Sequence, residues 1–129
     1  MFVTKLNTTN DSTGIRALAE RYRETLDGQW LDDFAWRRIP VNFTTRLPRD
    51  VVGRYWFGRI DLLSCCDPRL IFPTYIHELR HRWQRVMHPF KYIIGKIYRP
   101  LIEDDARCQE LAAEDWLNNI KETANGKEI

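Results

Sequence analysis

Cysteine is scarce in this chain and poorly placed for cross-linking. The 129 residues hold three, and Cys65 and Cys66 are adjacent, leaving Cys108 on its own. Neighbouring cysteines rarely pair with each other, so no disulfide framework is expected and a reducing cytoplasm is the expected compartment. The opening stretch MFVTKLNTTND has neither the apolar centre nor the small-residue cleavage site of a signal peptide. No apolar run approaches the roughly 20 residues needed to cross a bilayer. Internal repeats and low-complexity tracts are missing as well. An excess of charge of one sign is also lacking, since 20 basic residues face 18 acidic ones for a net charge of +2. A dedicated nucleic-acid or membrane-surface protein carries a larger and clustered positive excess, so neither partner is expected. The local group Arg80, Arg82 and Arg85 is expected to be a solvated basic face.

Large core residues are plentiful. Five Trp, five Tyr and six Phe accompany a hydrophobic content of 43%. That is enough to fold one domain, spanning residues 1–129, without help from a disulfide or a metal. Ile15, Leu18, Ala19, Tyr22 and Leu26 recur at helical spacing, which predicts a first helix over residues 12–26 with Ser12 as its cap. Residues 41–44 predict a short strand closed by Pro48. The β-branched and aromatic segment from Val51 to Leu63 predicts one or two strands, with Gly53 and Gly58 at turns or bulges. Cys66-Asp67-Pro68 ends that run. A helix is expected from Pro73 to about Met87, then a connection HPFKYIIGKIYRP, then a long helix from Pro100 to about Thr123 with a frayed tail. Ile102, Ala106, Ala113, Trp116, Leu117 and Ile120 form its apolar stripe. Helices at both ends with short strands between them make an α+β domain.

Residues 77–81 read His-Glu-Leu-Arg-His. On a helix, positions i and i+4 lie one turn apart on one face, so His77 and His81 can reach a single ion. Glu78 is displaced by about 100° around the axis, beside the ion and not on it. Two imidazoles and a carboxylate suit Zn2+, whose bound water has a pKa near 7 and can pass a proton to a neighbouring carboxylate. A random chain of this length would show the pattern on the order of once in a few hundred tries, so context decides. The context is favourable. Ile76, Leu79, Trp83 and Val86 form an apolar stripe roughly opposite the histidines, and an acidic helix follows. Candidates for the third ligand are Glu103, Glu110 and His88, with Asp104 and Asp105 better suited to orienting a ligand histidine.

HELRH followed by Glu103-Asp104-Asp105-Ala106 resembles the gluzincin branch of the zincin metallopeptidases, especially its minimal phage and bacterial members. The resemblance spans roughly residues 52–120. It implies a single small zincin-like domain with an N-terminal helix, a short sheet or hairpin, an active-site helix and a long C-terminal helix. It also implies that His77, His81 and Glu103 hold zinc, that Glu78 is the general base, and that a strand beside the metal pairs with a peptide or protein substrate. The expected activity is therefore zinc-dependent peptide hydrolysis, and the alternative is a catalytically silent adaptor on the same scaffold. Two departures stand out. Glu110-Leu111-Ala112-Ala113 also fits Glu-x-x-Ala, and Arg107 stands where the family often has Asp. The metzincin pattern would need Gly and His where this chain has Gln84 and Met87, and is rejected. For the oxyanion, Tyr92, Tyr98, His88 or an arginine could serve.

Overall fold

Ile15, Ala19 and Tyr22 fall on one side of a helix, and all three side chains are fully buried in the core. They belong to α1 (Ser12–Arg23), in a computed structural model that describes the backbone of residues 12–47, 51–56, 58–64 and 68–128. The helix stops three residues short of the expected end, because Thr25 turns the chain. Its hydroxyl accepts from the Gly28 amide and caps a 3-10 segment, Leu26–Asp33. Leu26, expected on the apolar face, is consequently exposed. A second 3-10 turn, Trp36–Arg38, buries Trp36 completely.

Three short strands follow: β1 (Val41–Thr44), β2 (Gly53–Trp56) and β3 (Arg59–Leu63). β3 lies in the middle, parallel to β1 and antiparallel to β2. The one or two strands expected over residues 51–63 are two, β2 and β3; Gly58 takes the positive φ of 76° that the turn between them demands, whereas Gly53 is no turn but the first residue of β2, paired with Leu62. Ile60 and Leu62 enter the core on one face. On the other face Asn42, Asp61 and Arg54 are cross-strand neighbours, and the buried Asp61 carboxylate accepts from Arg54, Arg59 and Asn42. Burial works against its charge, but these three donors outweigh it and hold the carboxyl below its usual range. Pro48 and the Cys65–Asp67 break lie outside the described residues.

The next helix, α2 (Pro68–Met87), begins five residues before the expected start at Pro73, which sits inside it. A proline there removes one backbone bond. The earlier start instead brings Ile71 and Phe72 into the core, where both are fully buried, an apolar gain of about 2 kcal/mol each. Of the expected stripe, Ile76 and Leu79 are buried, Trp83 is half-buried and Val86 is exposed. The segment expected to be an irregular connection is a helix, α3 (Pro89–Ile97), with Pro89 at its first position. Its helical signal is in the sequence, because Phe90, Ile93, Ile94 and Ile97 stand at i, i+3, i+4 and i+7, although this apolar face turns away from the core. Gly95 lets α3 approach the following helix closely, since a Cβ there would lie 2.3 Å from the Ile102 side chain.

The last helix, α4 (Pro100–Glu128), continues past the expected end at Thr123. Ile102, Ala106 and Ala113 are buried, and the small alanines bring α4 close along α2. Tyr22, Phe72 and Trp116 join α1, α2 and α4 through tilted and edge-on ring contacts of 5.3–6.0 Å. The architecture is mixed α+β, a three-stranded sheet with helices before and after it. Among the described residues no helix is long and apolar enough to cross a membrane.

Candidate metal centre

His77 and His81 project from successive turns of α2, their rings 4.9 Å apart and steeply inclined. α4 lies across them and brings Glu103 between the two rings. His77 Nε2 is 3.2 Å from Glu103 Oε1, and His81 Nε2 is 3.3 Å from Glu103 Oε2. One ligand atom from each of the three residues falls within 4.8 Å of the others. Glu110 is not a member of this group. It reaches the opposite nitrogen of His77, with Nδ1 2.8 Å from its Oε1.

The outer contacts fix the tautomers. An ionised carboxylate only accepts, so the Nδ1 beside Glu110 carries a hydrogen. His81 Nδ1 lies 3.0 Å from Gln84 Oε1. The amide of Gln84 cannot turn round, because its nitrogen donates to Ile102 O and to Asp105 Oδ2, both at 2.9 Å. Its oxygen must accept, and His81 Nδ1 must donate. In neutral rings, both Nε2 atoms are then bare lone pairs aimed at a carboxylate. Lone pairs facing lone pairs repel unless a cation lies among them, so the site takes either a proton, as on His77 in metal-free protein, or a metal ion.

Several expectations are corrected here. Asp105 does not touch a histidine directly; it holds Gln84, which holds His81. Asp104 is exposed. His88 is exposed and lies against Trp83, 5.0 Å between ring centres, and is outside the three-residue group. Arg80 is no solvated cation. It is buried, donates to both Asp105 oxygens at 2.7 and 3.1 Å, and lies 5.0 Å from the Trp30 ring and 3.6 Å from the Trp83 ring. Arg82 and Arg85 both donate to the Tyr55 hydroxyl. Arg107, at the position where an Asp was expected to orient a histidine, donates to Glu110, and Glu110 does the orienting. Helical spacing was the signal for these partners. Gln84 is three residues from His81, and Glu110 is seven from Glu103.

Glu78 lines the same cavity as the three ligand candidates, a space of about 510 Å³. It is 7% exposed, and burial pushes its carboxyl above the usual range against the pull of His81 and His77. The Tyr55 backbone amide also favours its charged form. β2 forms the wall opposite. Because Leu63 donates to Val52, the pairs Gly53–Leu62 and Tyr55–Ile60 are non-hydrogen-bonded ones. The backbone groups of Gly53 and Tyr55 therefore point away from β3, towards the cavity they line. Tyr92, Lys96 and Arg99 complete the lining, whereas Tyr98 and His88 are not part of it.

No family model, curated protein or solved structure matches this chain. Its chemistry has to be judged from the site alone.

The electrostatics give one prediction directly. Burial works against a charged His77, but hydrogen bonds to Glu103 and Glu110 and the nearby Glu78 outweigh it, lifting the ring to about 9 from 6.5. The same contacts, His77 first, hold Glu103 well below the usual carboxylate range. A raised pKa stabilises the fold fully below the ordinary value and ceases to do so above the raised one. Metal-free protein should therefore lose stability as pH rises from about 6.5 through about 9. Metal affinity should climb over the same window, because an ion must displace the His77 proton. Thermal melts in chelator and metal titrations across that range check both slopes.

Proposed function

We propose that this protein is a zinc-dependent metallopeptidase with Glu78 as its general base. The observation that carries the proposal is the convergence of two imidazole Nε2 atoms on Glu103, each ring held from behind through its Nδ1, with Glu78 buried in the same cavity. Two imidazoles and a carboxylate suit zinc and leave a fourth position open, as catalytic sites do and structural sites do not. When bound, zinc would supply a lowered water pKa and a polarised substrate carbonyl.

The chain's own residues account for the rest. Glu78 would take a proton from the attacking water and pass it to the leaving amine, and its raised pKa brings it closer to the working pH. Tyr92 and Lys96 are lining donors that could meet a developing oxyanion, whereas Arg99 already donates to Glu103 at 2.9 Å. The outward-facing backbone of β2 supports a peptide substrate over other amides, because an extended chain can pair along it. A reducing, cytoplasmic setting is part of the same proposal and rests on the sparse cysteines.

Zinc content of purified protein and its variants tests this. About one zinc per chain is expected, lost in His81→Ala and in Glu103→Ala. Glu110→Gln should keep the metal with affinity weakened roughly 10- to 100-fold, as for other partners that orient a ligand. Absence of bound zinc after reconstitution would sink the proposal, and loss confined to Glu110→Gln would move the third ligand.

A further inference from the structure

Four strongly exposed apolar side chains are gathered on one short helix. On α3, Phe90 is 83% exposed, Ile93 61%, Ile94 55% and Ile97 87%. At 100° per residue these four occupy an arc of about 100° on the outer face of the helix. Tyr92 and Gly95, the buried positions, lie on the opposite side. Lys91 and Lys96 fall about 60° beyond the two edges of the apolar arc, one on each side. Tyr98, Leu101, Val86 and Met87, also exposed, extend the surface at both ends of α3.

The charge on this stretch of the sequence has one sign. From Leu79 to Ile102 the sequence holds no Asp or Glu, but it holds Arg80, Arg82, Arg85, Lys91, Lys96 and Arg99. Arg80 is paired with Asp105 and Arg99 with Glu103, which leaves Arg82, Arg85, Lys91 and Lys96 on this stretch. A near-neutral chain can therefore carry a local cationic excess beside this ridge. A protruding apolar ridge, bracketed by lysines whose stems can lie along apolar surface while their heads stay in water, fits the boundary between lipid headgroups and acyl chains. The clustered cations fit an anionic leaflet. A folded protein partner would have to supply a groove for a convex ridge, with acids on both of its rims.

We infer that the outer face of α3 docks on anionic lipid surfaces, with Phe90, Ile93, Ile94 and Ile97 entering the interface and Lys91 and Lys96 meeting the headgroups. This is peripheral docking, independent of the metal-centre proposal. It also revises the expectation, drawn from net charge alone, that no membrane surface is involved.

Vesicle sedimentation of the full chain tests it. The protein should bind vesicles containing phosphatidylglycerol, bind pure phosphatidylcholine vesicles about tenfold less or worse, and be released by salt. Phe90→Ser with Ile97→Ser, and separately Lys91→Glu with Lys96→Glu, should each lower the partition coefficient at least about tenfold. Both pairs are exposed, so circular dichroism should be unchanged, and Leu26→Ser, off this surface, should bind as wild type. The inference is overturned if anionic vesicles are not bound, or if the serine pair leaves binding intact so that adsorption is merely electrostatic. It is equally overturned if sedimentation velocity shows a lipid-free dimer that Ile97→Ser disperses, making a second copy the occupant.

Discussion

Glu78→Gln should lower peptide hydrolysis by about 10²- to 10⁴-fold while leaving zinc content at wild-type level. Glutamine keeps the shape of the side chain and its capacity to accept from the Tyr55 amide, but it cannot take a proton from water. The substitution also removes a carboxylate that is 7% exposed and whose ionisation burial opposes, so the melting temperature should not fall. Zinc analysis, a melt and a peptide-library digest on the same preparation separate the alternatives. Loss of zinc along with activity would make Glu78 a ligand. Activity within tenfold of wild type would remove it from catalysis.

Arg80→Ala is the substitution expected to cost the most stability. The guanidinium is buried against Trp30 and Trp83 and holds both Asp105 oxygens, so alanine leaves a cavity and an acid without its partner. Breaking a buried pair costs several kcal/mol; with Asp105 itself partly exposed, about 3 kcal/mol is expected in urea unfolding of metal-free protein. A second effect should accompany it. Asp105 and Ile102 fix the Gln84 amide, and Gln84 fixes His81, so zinc affinity should fall by about tenfold or more. Arg80→Lys should recover part of the stability, because it keeps the charge but not the two-pronged donation. Unchanged unfolding in Arg80→Ala would restore the solvated basic face expected from sequence.

The two substitutions probe residues that the sequence exposes very unequally. Glu78 is marked by its neighbours, because a five-residue motif with helical spacing places it beside two histidines wherever the helix ends up. Arg80 sits in the same motif and shows nothing of its role. Its partners are Asp105, 25 positions later, and Trp30, 50 positions earlier. Local periodicity carries no information about contacts across such separations. α3 itself was legible, since Phe90, Ile93, Ile94 and Ile97 stand at i, i+3, i+4 and i+7. What spacing does not carry is the direction of that face, which this helix turns outwards.

The sequence by itself determined the α+β class, the β1 strand, strand structure within residues 51–63 and the pairing of His77 with His81, since each depends on short-range spacing and turn chemistry. It left Glu103, Glu110 and His88 open as partners on residue evidence, because a ligand contributed by another helix depends on how that helix crosses. Packing of α4 on α2, set by Ile102, Ala106 and Ala113, carries Glu103 to the two Nε2 atoms and Glu110 to the other side of His77. The same packing places Gln84 between His81 and Asp105. Sequence spacing put two imidazoles on one face; only the crossing of two helices decided which nitrogen of each ring is free and what it faces.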